Sequence, residues 1–341
     1  MKGLTVAEYF AGIGLVRMGL EAAGWKVVFA NDIEPKKAEI YRRLFSNGKD
    51  IYVVGDIFDL KAKDIPETTL ATCSFPCVDL SLAGNRQGLS GKKSGAFWGF
   101  VKILREQGEN RPQMVLIENV PGLLSSHRGE DFKTLIGALE ELGYSCEWMV
   151  IDAARFTAQS RRRVFIVGER GKKKEERRNA ECGMRNAGLP EIGKYRVVDM
   201  VEKIPEDDER WWEMSKVERH IGMMSDKHRK IVEELQTGDT FSYRTFFRRV
   251  RKEGQRVEVR NDELAGCLRT IGGGSGRQFL IRAGRGDVQM RSMTVREYAR
   301  LQGVPDRYEI GGSEVFALSA LGDAVCAPVI EWIGRNLKFE I

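Results

Sequence analysis

Histidine is nearly missing from this chain, with 3 in 341 residues, and cysteine is thin, with 6. Cys73 and Cys77 stand four apart, but no second ligand pair accompanies them, so a tetrahedral structural zinc site is not expected. Cysteines scattered from Cys73 to Cys326 are too sparse for a disulfide framework, and reduced thiols follow. The amino terminus lacks a basic-then-apolar signal segment, and no apolar run approaches the roughly 18 residues of a membrane span. These absences predict a cytoplasmic chain without a membrane partner. What remains is an ordinary globular composition, 42% hydrophobic and 30% charged, long enough for one large domain or two unequal ones.

A third glycine is also missing where a dinucleotide site would want one. Leu4 to Phe10 reads as a strand and Gly12 with Gly14 as a turn. Leu15, Met18, Leu20 and Ala23 then mark a helix that Gly24 ends. A phosphate-cradling fingerprint would place glycine at position 17, where this chain has Arg17, so a nicotinamide oxidoreductase is disfavoured. The two glycines instead let the backbone approach a nucleoside closely. The strand from Lys26 to Ala30 ends in Asn31-Asp32, about 20 residues after Gly12, a spacing that suits a carboxylate on a ribose diol. The same Asp32 reads equally as a helix cap ahead of Pro35. A third strand, from Ile51, ends in Asp56.

The stretch Ser74-Phe75-Pro76-Cys77-Val78-Asp79-Leu80-Ser81 follows the apolar run Thr69 to Cys73 and places a thiol on a strand-to-loop corner. Pro76 fixes its own backbone angle and biases Phe75 to an extended shape, so the loop presents Cys77 in a defined direction. Taken alone, Cys77 reads either as an activated nucleophile or as a small buried hydrophobe. Met114-Val115-Leu116-Ile117 is apolar enough for a parallel strand covered on both faces, and it runs into Glu118-Asn119. Asp32, Asp56, Cys77 and Glu118 would then share the carboxyl edge of one sheet, where open α/β sheets place their ligands. Helix 130–142, with Phe132, Leu135, Ile136, Leu139 and Leu142 on one stripe, is core packing.

Net charge is +6, and its distribution is uneven. Residues 244–300 hold 14 Lys and Arg, 13 of them Arg, against 6 Asp and Glu. Guanidinium groups bind phosphate and guanine edges bidentately, which makes this segment the nucleic-acid candidate, with a solvated charged face as the bland alternative.

Five motifs, in this order and spacing, resemble those of the DNA (cytosine-5) methyltransferases. They are Phe10-Ala11-Gly12-Ile13-Gly14, Phe75-Pro76-Cys77 with Ser81, Glu118-Asn119-Val120, Gln159-Ser160-Arg161-Arg162-Arg163, and Gly322-Asp323-Ala324-Val325. The resemblance spans almost the whole chain and implies a Rossmann-like, doubly wound, mostly parallel α/β sheet with a second, smaller target-recognition domain. It implies S-adenosylmethionine as cofactor, with S-adenosylhomocysteine as product, and contacts from Phe10, Gly12, Gly14, Asp32, Ile33, Asp56, Ile57 and Asp323. Cys77, Glu118, Arg161 and Arg163 would carry catalysis. Pro76, Ser81, Asn119, Gly273 and Arg277 would touch substrate. The expected partner is double-stranded DNA, bound by a monomer, with a cognate restriction endonuclease acting separately. An RNA cytosine methyltransferase of the same fold and a catalytically silent DNA-binding module are the alternatives.

The charged run Lys172 to Arg178 marks a boundary. The expected organisation is a catalytic and cofactor-binding domain over 1–178, target recognition over 179–290, a hinge segment over 291–317, and a return to the catalytic domain over 318–341. The sequence departs from the family pattern at Leu15, at Cys267-Leu268 in place of Thr-Leu, and at Asp323 in place of Asn.

Overall fold

The computed structural model describes residues 3–76, 95–171, 188–251, 254–271 and 276–337. Its contacts divide the chain into two units, one of residues 1–152, 162–189 and 329–341, the other of 153–161 and 190–328.

The first unit alternates strand and helix. In order these are β1 (Thr5–Tyr9), α1 (Leu15–Ala22), β2 (Lys26–Asp32), α2 (Pro35–Leu44), α3 (Gly48–Ile51), β3 (Tyr52–Val54), β4 (Leu70–Cys73), α4 (Ala96–Glu106), β5 (Met114–Asn119), α5 (Glu130–Glu141), β6 (Tyr144–Asp152) and β7 (Arg162–Arg170). The sheet order is β3-β2-β1-β4-β5-β7-β6. Strands β1 to β5 pair in parallel, while β7 runs antiparallel to β5 and to β6. This is the doubly wound α/β sheet expected from the sequence. Every residue of β4 and β5 is buried, as a strand covered on both faces requires. Tyr9, Phe29, Phe97 and Phe100 fill the core behind β1, with the Tyr9 and Phe100 rings 5.3 Å apart, edge to face. Chain order reverses between β1 and β4, so the crevice at their carboxyl ends is the topological switch point.

The second unit carries an antiparallel sheet ordered β11-β10-β8-β9. Its helices are α6 (Met214–Gly222), α7 (Asp226–Gln236), α8 (Val295–Leu301) and α9 (Glu314–Asp323), and its strands are β8 (Ser242–Arg251), β9 (Gly254–Val259), β10 (Gln278–Gly284) and β11 (Asp287–Ser292). Phe246 and Phe279 stack at 5.0 Å with Trp212 and His220 against them, so part of the aromatic content between 211 and 247 is core. Arg291 and Glu297, both fully buried, form a two-pronged ion pair, and Glu297 also caps the first turn of α8 through the Thr294 N–H. A last helix, α10 (Ala327–Asn336), follows α9. The stretch 314–336 is apolar enough to pass for a membrane span, but its backbone turns extended at Ala324 and 61% of its apolar window is buried.

Candidate active site

The turn after β1 is held at each step. Ala11 N–H donates to the Asn31 carbonyl at 2.9 Å, Gly14 N–H to the Ala11 carbonyl at 2.8 Å, and Gly12 N–H to Asp32 Oδ2 at 2.9 Å. The Gly12 carbonyl in turn accepts from the Tyr52 hydroxyl at 3.0 Å. Gly12 and Gly14 have φ of 55° and 85°, and a Cβ at Gly14 would stand 2.5 Å from the Phe45 ring and 2.7 Å from the Tyr41 ring. Here glycine answers both a left-handed backbone and a close approach. Phe10, a non-glycine residue, also sits at φ 57°.

Asp32, 8% exposed, uses Oδ2 for Gly12 and Oδ1 for the Glu34 N–H at 2.9 Å. It therefore joins the β1 turn to the start of α2, while each oxygen keeps a second lone pair that can meet a ligand hydroxyl. Ile33 beside it is 64% exposed, an apolar surface open at the sheet edge. Asp56 caps a short turn by accepting from the Phe58 N–H at 3.0 Å. Ile57 is buried in the core, and a Cβ at Gly99 would meet it at 2.5 Å, so only its main chain can face a ligand. Asn31 latches these loops together, its Nδ2 donating to the Val53 and Gly55 carbonyls at 3.1 and 3.0 Å.

Beneath the turn lies a polar cluster. Glu8, fully buried on β1, accepts from the Arg17 N–H at 3.2 Å and the Tyr41 hydroxyl at 3.3 Å. The Arg17 guanidinium donates to the Tyr41 hydroxyl at 3.3 Å, to Glu21 at 2.8 Å and to Asn47 at 2.5 Å, and stands 4.1 Å from the Phe45 ring centroid. Burial is the largest influence on Glu8 and outweighs the Arg17 hydrogen bond and charge, pushing its carboxyl up to about 8.

On the neighbouring strands, β4 ends at Cys73 and continues through buried Phe75 to exposed Pro76. Cys77 and Ser81 lie outside the described residues, as does Gly273. Cys73 is fully buried, and burial raises its thiol well above the usual range, which leaves it inert as a nucleophile. Glu118, at the carboxyl end of β5 and 9% exposed, receives the Arg163 Nε at 3.0 Å. Asn119, 2% exposed, donates to the Phe75 carbonyl at 3.2 Å and accepts from the Val120 N–H at 2.9 Å, so it ties the Pro76 loop to β5. The first unit thus gathers Phe10, Gly12, Gly14, Asp32, Ile33, Asp56, Pro76, Glu118, Asn119 and Arg163 along one sheet edge.

Arg161 belongs to the second unit. Its guanidinium, 2% exposed, donates to the carbonyls of Leu268 at 2.8 Å, Gly322 at 3.2 Å and Ala324 at 2.7 Å. It also reaches Cys267 Sγ at 3.5 Å. Gln159 holds the same segment, accepting from the Leu268 N–H at 3.1 Å. Asp323 is the exposed last residue of α9, and Arg277 pairs with Glu314. Sequence reading missed Asn31, Tyr52 and the cluster of Glu8, Arg17 and Tyr41. The available signal was an acid and a tyrosine inside strands that are otherwise apolar.

Five parallel strands with an antiparallel β7 inserted beside β5, and acids at the carboxyl edge, define an S-adenosylmethionine-dependent methyltransferase fold. The sequence profile of the family described as C-5 cytosine-specific DNA methylase matches residues 4–339, and the chain belongs to that family of enzymes. It is 28% identical over 343 residues to the type II methyltransferase M.Bsp6I of Bacillus sp. (strain RFL6), covering 98% of each chain. It is 29% identical over 337 residues to M.DsaV of Dactylococcopsis salina, covering 98% of this chain and 86% of that one. In fold it resembles the Dnmt2 methyltransferase of S. pombe, with TM-score 0.64, 21% identity and 98% of both chains covered.

Proposed function

We propose that this enzyme transfers a methyl group from S-adenosylmethionine to carbon 5 of a cytosine within a specific double-stranded DNA sequence. Bound S-adenosylmethionine supplies an electrophilic methyl group. Asp32 would receive the ribose hydroxyls on its remaining lone pairs, Asp56 and the Ile57 main chain would face the adenine edge, and Phe10 and Ile33 would flank its ring. The donor set fits that ligand: two carboxylates, a glycine turn that admits a nucleoside, and an exposed apolar side chain at one edge.

The observation that carries the reading is the Glu118–Arg163 pair at the end of β5, on the strand next to the one that leads into Pro76 and Cys77. Carbon 5 of neutral cytosine is too electron-poor to attack a sulfonium. Cys77, adding as thiolate to carbon 6 while Glu118 hydrogen-bonds or protonates ring nitrogen 3, makes carbon 5 nucleophilic. Arg163 fixes the orientation of Glu118, and Asn119 holds the Phe75 main chain at the end of β4. After transfer, a base takes the proton from carbon 5, the electron pair reforms the ring double bond, and the thiolate leaves. In a duplex the cytosine must first flip out of the stack at a cost of a few kcal/mol. The second unit carries target recognition, residues 190–290 being long enough for groove contacts. The substrate is read as duplex DNA, in keeping with the DNA methylase family, and the enzyme as a cytoplasmic monomer with a cognate endonuclease acting separately.

The test is a duplex containing 5-fluorocytosine, in which the final proton loss is blocked. With S-adenosylmethionine the wild type is expected to form an adduct that survives denaturant, and Cys77→Ala none. Equal adduct in both would remove Cys77 from its role.

A further inference from the structure

Among the described residues, carboxylates answer 10 of the 20 arginines of the second unit. Arg210 pairs with Asp208, Arg244 with Glu263, Arg249 with Glu258, Arg260 with Asp262, and Arg282 with Glu206. Lys216 and Arg219 of α6 and Arg248 of β8 are among the cations that no carboxylate meets within ion-pair distance among the described residues, and they stand out by being grouped. Lys216 Nζ lies 4.1 Å from the Trp212 ring centroid and Arg248 Cζ 5.0 Å from that of Phe279, and those two rings are 5.4 Å apart. Arg219 follows Lys216 by three residues, one turn along the exposed side of α6. Arg248 shares its sheet face with Phe246, two residues before it, which packs in the same aromatic box.

Burial, then the charges of Arg219, Arg248 and Arg277, hold the Lys216 ammonium below its usual range. Burial, then the charges of Arg248, Arg219 and Lys216, also lower the imidazole of His220, against the Lys216 carbonyl that raises it. Glu213, at the N-cap of α6, and Glu218 on it make no ion pair with these cations among the described residues. Cations that repel one another, two of them held over aromatic rings, are arranged for an anion that arrives from outside.

We propose that Lys216, Arg219 and Arg248 form a sequence-independent grip on the phosphate backbone of duplex DNA, separate from the elements that read bases. The proposal rests on duplex DNA being the substrate. Lys216 and Arg219 project from an exposed helix face as charges without a hydrogen-bonding scaffold around them, which suits phosphates and not base edges. The grip sets register and affinity and leaves sequence choice untouched.

The experiment measures binding of a fluorescent duplex by anisotropy between about 50 and 200 mM salt. It compares the wild type, a Lys216→Gln/Arg219→Gln double variant, Arg248→Gln, and a control, Lys227→Gln, on exposed α7. Each lost phosphate contact is expected to flatten the slope of log affinity against log salt by about 0.9, so the double variant loses nearly 2 and the control nothing. Sequencing of chemically converted DNA from cells expressing the variants is expected to show an unchanged methylation motif. A wild-type slope in both patch variants overturns the proposal, as does an equal loss in the control or an altered motif. Should the double variant melt early, Arg219→Gln alone, on the solvent side of α6, gives the same reading for one contact. A wild type that binds no duplex would instead overturn the functional reading, which sets that failure apart from failure of the grip.

Discussion

Glu8→Gln is the sharpest probe of how the cofactor turn is built. In an unfolded chain Glu8 ionises near 4.5, whereas burial in the fold pushes it up to about 8. Neutral Glu8 is therefore the form that folds. Its contribution to stability is fully present below pH 4.5, is lost as pH rises through the window up to about 8, and is constant above that. At about 1.4 kcal/mol per tenfold change in proton affinity, the whole window corresponds to on the order of 5 kcal/mol, and the span from about pH 5.5 to 7.5 to roughly 3 kcal/mol. Glutamine keeps the shape and an acceptor for the Arg17 N–H but cannot ionise.

Thermal melting of both proteins across that span should show the wild type losing stability relative to the variant as pH rises. At roughly 2 °C per kcal/mol, the difference in Tm should change by about 5 °C. Because other titrating groups are common to both proteins, the difference isolates Glu8. Parallel melting curves at every pH would mean that the carboxyl is not proton-bound in the fold, and that Arg17, linked to it through the Tyr41 hydroxyl, neutralises Glu8.

Tyr52→Phe removes only the hydroxyl that holds the Gly12 carbonyl. At about 1 kcal/mol for that bond, calorimetric titration should show S-adenosylhomocysteine bound about fivefold more weakly, with kcat at saturating cofactor nearly unchanged. Gly14→Ala puts a methyl into the Tyr41 and Phe45 rings on a left-handed backbone and should cost about 2–4 kcal/mol in urea unfolding. Arg163→Lys keeps a charge but loses the planar contact with Glu118, so kcat should fall by about tenfold or more while the melting temperature holds. Arg161→Lys leaves buried carbonyls of Leu268, Gly322 and Ala324 without donors and should appear as a loss of roughly 2–5 kcal/mol in stability, read by melting.

Strand ends were the most legible part of the fold. Apolar runs that stop at an acid, as before Asp32 and Glu118, announce both the strand and the edge it reaches, because a parallel strand buried on both faces tolerates charge only at its ends. The motif Gln159 to Arg163 was legible as a group but not in its partition. Alternation along a strand gives no warning that Arg161 bonds the carbonyls of Leu268 and Ala324, more than a hundred residues away, while Arg163 turns to Glu118. The second unit was least legible. Its aromatic box draws on Trp212, His220, Phe246 and Phe279, four positions spread over 68 residues, so no local period records it. The sequence alone therefore could not separate core rings from rings at a charged surface.

The residues at the sheet edge share one construction principle. Asp32 accepts two main-chain N–H groups, Asp56 accepts one, Asn31 donates to two carbonyls and Asn119 bridges a carbonyl and an N–H. Asp32, Asn31 and Asn119, at the ends of their strands, thus fix the loop that leaves a neighbour, while Asp56 fixes its own turn. A loop with unsatisfied main-chain groups at a buried edge would either collapse or take up water. Latching it from the next strand satisfies those groups and leaves the outer lone pairs of the carboxylates facing the crevice. The latches run from β3 through β2 to the β1 turn, and from β5 to the loop after β4. A change in one loop therefore alters the ligand contacts of the next, which is why removing one hydroxyl from β3 should be felt by a ligand held at the turn after β1.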